Sequence, residues 1–105
     1  MDNKFCGDNE IIFICKEIDR LFEIDKLIVF GVKRNEKNNS VTDVDICVVC
    51  EYGDKNAWLK KAYLEIESKV PYDIFLYTPS EWDEMTKQSE SFASRIVRKG
   101  CVVIG

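Results

Sequence analysis

Four short apolar runs constrain the fold of this chain more than any other feature of its sequence. They are LIVF at Leu27 to Phe30, VDICVV ending at Val49, YDIFLYT after Pro71, and CVVI close to the last residue. Each has the length of a buried strand, and three of them are rich in the β-branched residues that strands favour. Each is also far too short to span a membrane. The chain is therefore expected to build a small sheet with no membrane segment.

Helical periodicity fills most of the sequence between these runs. From Asp8 to Phe22 the apolar residues recur at intervals of three and four, which predicts an amphipathic helix with one buried stripe. A second helix is predicted after Asp54, which can cap it, and it ends before Pro71.

Two further helices are predicted near the end of the chain. Thr78 begins the string T-P-S-E, which combines an N-cap, a proline at the first helical position and an acidic residue three positions later. This helix should run through Met85. The next should begin near Ser89 and stop at Gly100, where a glycine suits a left-handed residue after a helix end.

The predicted element order is helix, strand, strand, helix, strand, helix, helix, strand. A chain of 105 residues is long enough for one modest core and too short for two domains. We therefore expect a single α/β (α+β) domain spanning residues 1–105, with a mixed sheet and helices packed mainly on one face.

Charge and composition narrow the classes of function. The chain carries 15 Lys and Arg against 19 Asp and Glu, a net charge of −4, which argues against strong general binding to nucleic acid or to an anionic membrane surface. It contains no histidine. Mechanisms built on an imidazole are thereby excluded, so carboxylates would have to carry any acid–base or metal chemistry.

The five cysteines predict a reducing environment. Their number is odd and no secretory signal is recognisable in the polar start of the chain, so we expect reduced thiols and a cytoplasmic location. Cys47 and Cys50 spell C-x-x-C, but a strand would place them on opposite faces of the sheet. Core packing is favoured over a zinc or redox role.

Asp43 and Asp45 are the first candidates for chemistry. They lie two apart at the start of a predicted strand, so their carboxylates should share one face while Val44 and Ile46 point into the core. Asp73 begins the next predicted strand and would join the pair if the two strands are neighbours. Three such carboxylates can hold magnesium, which prefers oxygen ligands and assists phosphoryl-type transfer. The competing interpretation is that they are solvated acids at strand ends.

The segment ahead of Asp43 adds positive charge. It follows Gly31 and contains Lys33, Arg34 and Lys37, which could bind a polyphosphate. Taken alone, these side chains are better explained as a solvated loop.

These residues together resemble the minimal nucleotidyltransferase domain of the DNA polymerase β-like superfamily. That signature is Gly-Ser, ten residues, Asp-x-Asp, and a third Asp on a following strand. Here Gly31-Val32 is followed by ten residues and then by Asp43-Val44-Asp45. The stretch VPYDIFLYTPSEWDEM resembles the strand of the third carboxylate, and RIVRKGCVVIG resembles the family's usual ending.

The resemblance implies transfer of a nucleoside monophosphate from a nucleoside triphosphate, with ATP the expected one, to a hydroxyl of a protein or small molecule. Asp43, Asp45 and Asp73 would be catalytic and would bind Mg²⁺ or Mn²⁺. The nucleotide would lie on the segment from Gly31 to Arg34, that is Gly31, Val32, Lys33 and Arg34, with Gly31 letting the backbone approach the phosphates.

The resemblance also implies a second hypothesis of a different class. Small bacterial members often pair with a helical HEPN-type protein, in some cases as toxin and antitoxin. Val32 stands where the family has the serine that contacts the triphosphate. A catalytically reduced subunit that binds such a partner is therefore the alternative, docking through Trp58, Tyr63 or Trp82, although core packing is favoured for these aromatics. Self-association is left open.

Overall fold

The computed structural model describes residues 8–105. Within them the elements follow the predicted order. Their bounds are α1 Asn9–Leu21, β1 Lys26–Arg34, β2 Val41–Val49, α2 Lys55–Glu65, β3 Tyr72–Tyr77, α3 Pro79–Thr86, α4 Phe92–Lys99 and β4 Cys101–Ile104. The predicted class, one compact α+β domain with a mixed sheet, is confirmed.

The sheet has the strand order β3-β2-β1-β4. β1 pairs antiparallel with both β2 and β4, whereas β2 and β3 are parallel and are joined by the crossover helix α2. β1 and β2 are longer than predicted, because β1 continues to Arg34 and β2 begins at Val41, which leaves residues 35–40 of the polar segment as the turn of a hairpin. Its turn is shaped by Asn35, whose side-chain oxygen accepts from the backbone N–H groups of Lys37 and Asn38.

The core consists of two clusters, one on each face of the sheet. The larger one packs α1 and α2 against β-strand side chains that include Val44, Ile46 and Val48. The smaller one packs α3 and α4 against Ile28, Cys47 and Val49. The expectation that the helices lie mainly on one face is therefore wrong, since two helices cover each face. The larger cluster still supplies most of the buried residues.

The helix caps follow the sequence signals closely. Asp54 accepts from the backbone N–H of Ala57 at the start of α2. Thr78 and Glu81 form a complete capping box at the start of α3, in which each side chain accepts from the other residue's backbone N–H. α4 begins later than predicted, after Ser91, which caps it through the N–H of Ser94.

Gly100 ends α4 for a different reason than the sequence suggested. Its φ is −79°, so the expected left-handed conformation is wrong. A Cβ at this position would lie 2.3 Å from the Cγ2 atom of Ile28 and 2.7 Å from the carbonyl oxygen of Ile96. Glycine is needed here because α4 turns into β4 against the sheet with no space for a side chain.

The cysteines are mostly core residues. Cys15, Cys47 and Cys50 are free and buried, and burial raises the pKa of Cys15 and of Cys47 to about 12. Cys47 and Cys50 belong to opposite clusters, as expected for a strand. Cys101 is disulfide-bonded, which corrects the expectation of fully reduced cysteines, and Cys6 lies outside the described residues.

None of the helices between residues 8 and 105 combines the length and the apolar character that crossing a membrane requires.

Candidate functional site

Asp43 and Asp45 lie on the face of β2 that carries the smaller cluster. Val44 and Ile46 alternate with them and are buried in the larger cluster on the opposite face. Asp43 is exposed and Asp45 is half-buried, because α3 and α4 cover only the later part of this face. The two carboxylates therefore stand at the uncovered end of the sheet.

Asp73 is brought to the same place by the parallel pairing of β2 and β3. Its Cα pairs with that of Asp45, and its neighbour Ile74 is buried in the larger cluster. Asp73 consequently shares the face of Asp43 and Asp45. The sequence predicted this arrangement only if the two strands are neighbours, and β2 and β3 are paired directly.

The electrostatics of Asp45 reflect this crowding. Its pKa is raised above the ordinary value for an aspartate, chiefly by burial and then by the negative charges of Asp73 and Asp43. Lys33 acts in the opposite direction. A cation placed among these groups would relieve the repulsion that adds to the effect of burial.

A bulge in β1 determines which residues of β1 share a face with the carboxylates. Val29 pairs with Ile46, but the next pair is Gly31 with Asp45, so Phe30 is the extra residue. Gly31 and Lys33 are thereby turned to the face of the carboxylates, and Lys33 becomes the Cα partner of Asp43. The positive charge of Lys33 thus lies across the ladder from the acidic pair.

Gly31 makes room for Asp45. A Cβ at this position would lie 2.8 Å from Oδ2 and 3.2 Å from Cβ of Asp45. The φ of Gly31 is not positive, so the requirement is for space rather than for an unusual backbone conformation.

Two of the predicted nucleotide-binding residues lie elsewhere. Val32 pairs with Val44 and packs against the larger cluster, on the opposite face from the carboxylates. Arg34 forms an ion pair with Asp8 at the start of α1, and it donates to the carbonyl of Asn39 at 3.2 Å. Of the segment from Gly31 to Arg34, the structure therefore brings only Gly31 and Lys33 to the acids.

The carboxylates share a face without forming a closed ligand set. Over the described part of the chain, no three acidic or cysteine side chains are grouped closely enough to hold a metal ion. The atoms that could act as metal ligands at this site are carboxylate oxygens, and the positive charge of Lys33 lies beside them. That chemistry suits magnesium, which takes oxygen ligands and usually keeps several waters and substrate phosphates.

An aromatic cluster borders the carboxylates and was missed in the sequence. The ring centroid of Phe30 lies 5.2 Å from that of Phe75 and 5.6 Å from that of Phe92, and Phe75 and Phe92 are 5.5 Å apart. The two-residue spacing of Asp73 and Phe75 on one strand could have signalled that they share a face. The contribution of Phe92 depends on where α4 packs, which no local pattern gives.

The aromatic residues considered for docking divide between core and surface. Trp58 is buried and stacks on Phe22 at a centroid distance of 4.0 Å, and Trp82 is buried in the smaller cluster. These two are core residues, as favoured. Tyr63 is 42% exposed, although its hydroxyl accepts from the backbone N–H of Ile74 at 2.8 Å.

Comparisons with protein-family models, with curated proteins and with solved structures give no match for this chain.

Proposed function

We propose that the protein is a metal-dependent nucleotidyltransferase, which moves a nucleoside monophosphate from a nucleoside triphosphate to a hydroxyl of a protein or small-molecule acceptor. The observation that carries the proposal is the placement of Asp45. It faces a glycine that leaves space for its carboxylate, and its pKa is raised by burial and then by the charges of Asp73 and Asp43. Such crowding of acids opposes stability, which is typical of a site that binds a cation.

Each residue of the site has a role in this reaction. Asp43 and Asp45 would hold magnesium and, through it, the triphosphate, while Lys33 would bind phosphate oxygens directly. Bound magnesium would neutralise charge on the triphosphate and on the departing pyrophosphate. The acceptor hydroxyl oxygen bonds to the α-phosphorus, the bond from that phosphorus to the β-bridging oxygen breaks, and Asp73 takes the hydroxyl proton.

Ligand binding is tested by NMR. Manganese and then magnesium-ATP are titrated into the ¹⁵N-labelled chain. We expect paramagnetic broadening centred on the amides of Asp43, Asp45 and Asp73, and nucleotide shifts at Gly31 and Lys33. Absence of a localised response at millimolar ligand would contradict the proposal.

Transfer is tested with ATP labelled at the α-phosphate. Asp45→Asn should abolish incorporation of label into an acceptor and leave the circular dichroism spectrum unchanged. Asp83→Asn is the matched control, because Asp83 is an exposed acid on α3 whose ion pair with Lys87 is on the surface. Equal incorporation by wild type and Asp45→Asn would rule out the assignment.

The second candidate is the catalytically reduced binding subunit for a helical HEPN-type partner. It is favoured by the exposure of Tyr63 and Leu64 on α2, at 42% and 69%. Docking through this helix predicts that Leu64→Asp prevents co-purification of a co-expressed partner while Asp45→Asn does not. A complex lost in Asp45→Asn and kept in Leu64→Asp would contradict this candidate.

A further inference from the structure

The cluster of Phe30, Phe75 and Phe92, hereafter the phenylalanine cluster, adjoins the carboxylates on the same face of the sheet. Phe30 directly precedes Gly31, and Phe75 lies two residues beyond Asp73 on β3, about 7 Å along the strand. β2 runs between β1 and β3, so the two rings meet across it. The phenylalanine cluster therefore lies next to the carboxylates on this face.

Phe92 completes the cluster from above the sheet. It is the first residue of α4, and its ring meets Phe30 nearly edge-on, with an interplanar angle of 87°. Its neighbours Ala93 and Ser94 are buried, yet Phe92 remains 39% exposed. A ring held by two others and still partly open to solvent is a rigid apolar surface that can accept a further flat partner.

We propose that the phenylalanine cluster is the subsite that receives the nucleobase, with Phe92 as its exposed stacking residue. The inference rests on the proposed function, which places the triphosphate at the carboxylates and Lys33. A nucleobase lies about one ribose away from the phosphates, and Phe75 of the cluster lies two residues, about 7 Å, along the strand from Asp73. Aromatic rings bind bases through stacking, which requires no hydrogen-bond partners and tolerates any base.

The chemistry of the surroundings favours a neutral base over an anionic group. The rings are apolar, and the acids that border them on one side would repel a phosphate or a carboxylate that no magnesium ion accompanies. The nucleotide would thus lie with its phosphates at the metal and Lys33 and with its base on the rings, so that one face of the sheet serves both ends of the molecule.

Calorimetric titrations with two probes test the inference. Magnesium-ATP carries a base and magnesium-tripolyphosphate does not. Phe92→Ala should weaken ATP binding by about tenfold or more and leave the affinity for tripolyphosphate unchanged. Phe92→Trp should retain or tighten ATP binding. Phe92→Leu, which keeps apolar packing but removes the ring, should behave like Phe92→Ala, and it replaces that variant if the alanine chain does not fold.

Val97→Ala is the matched control. Val97 is on the same helix and is 52% exposed, but it is not part of the phenylalanine cluster. The Val97→Ala variant should bind both probes with wild-type affinity. Equal weakening by the Val97 and Phe92 variants, or weakening of both probes together by Phe92→Ala, would overturn the inference.

The two proposals fail in distinguishable ways. If wild type binds tripolyphosphate and ATP, and Phe92→Ala binds ATP equally well, the base subsite is wrong and the transferase proposal stands. If wild type binds neither probe, the nucleotide site itself is wrong and the base subsite is overturned with it.

Discussion

Gly31 and Asp45 are cross-strand partners, and the carboxylate of Asp45 occupies the space that a side chain at residue 31 would take. An added Cβ would be 2.8 Å from Oδ2 of Asp45, closer than such atoms approach in proteins. The pairing exists because the bulge at Phe30 turns Gly31 to the acidic face. The absence of a side chain at one position thus determines where a carboxylate can lie on the neighbouring strand.

Gly31→Ala is expected to damage the site more than the fold. The methyl group would displace the end of the Asp45 side chain, which can rotate away at small energetic expense, so the melting temperature should change little. The carboxylate would leave its position, and a shift of about 1 Å can reduce catalysis by about a hundredfold. Label incorporation from α-labelled ATP and thermal denaturation measure the two effects.

Gly53→Ala serves as the control for this variant. A Cβ at Gly53 would meet nothing within 4 Å, so transfer and stability should both match wild type. If Gly31→Ala transferred label at the wild-type rate, the close approach of residues 31 and 45 would have no part in the function.

Asp45→Asn should stabilise the protein at neutral pH when no metal is present. The folded-state pKa of Asp45 is raised, so the folded protein favours the protonated carboxyl. The stability that this provides is complete below the ordinary aspartate pKa of about 3.9 and is lost as the pH rises through the raised value. Asparagine does not titrate. The free energy of unfolding of the variant should therefore rise relative to that of wild type between the ordinary and the raised pKa, and the difference should stay constant at higher pH.

Urea denaturation of both chains from pH 3 to pH 7 measures this difference. Magnesium should then stabilise wild type more than Asp45→Asn, since ligands that bind only the folded state raise its stability. A variant that is less stable than wild type at pH 7, by the same margin as at pH 3, would show that folding does not raise the pKa of Asp45.

Local patterns predicted the element order because the signals for it are local. The capping box at Thr78 and Glu81 is complete within four residues, and the amphipathic period of α1 needs no tertiary context. The position of Asp73 beside Asp45 was predictable only given the strand order, since a parallel neighbour places the starts of both strands at one edge.

Features that depend on tertiary contacts could not be predicted from the sequence. Lys33 and Thr42 are polar and exposed, yet they belong to strands, because backbone pairing in a hairpin tolerates polar side chains on an uncovered face. The bulge at Phe30 shifts the register by one residue, so alternation counted from Val29 assigns Gly31 to the wrong face. The distribution of helices over both faces likewise follows from how α4 packs.

Val32→Ser should not improve nucleotide binding, although it introduces the serine of the nucleotidyltransferase signature that the sequence resembles. Val32 packs against the larger cluster, on the opposite face from Asp45, so a hydroxyl there would not reach a triphosphate held by the carboxylates. It would remove apolar contacts and destabilise the fold by about 1 kcal/mol. Calorimetry with magnesium-ATP and thermal denaturation check both expectations.

The control for that variant is Val97→Ser, at an exposed position of the same residue type. It should leave stability within about 0.5 kcal/mol of wild type. Tighter ATP binding by Val32→Ser would place residue 32 at the phosphates and contradict the assignment of its side chain to the core.

Gly100→Ala should destabilise the domain, in contrast to Gly53→Ala. The new methyl group would meet Cγ2 of Ile28 at 2.3 Å and the carbonyl oxygen of Ile96 at 2.7 Å. The first atom is in a buried side chain and the second is backbone, so neither can yield easily, and overpacking of this kind typically costs about 1–3 kcal/mol. Urea denaturation measures the loss. Wild-type stability in Gly100→Ala would mean that the junction of α4 and β4 has space for a side chain, and that the glycine there is not required by packing.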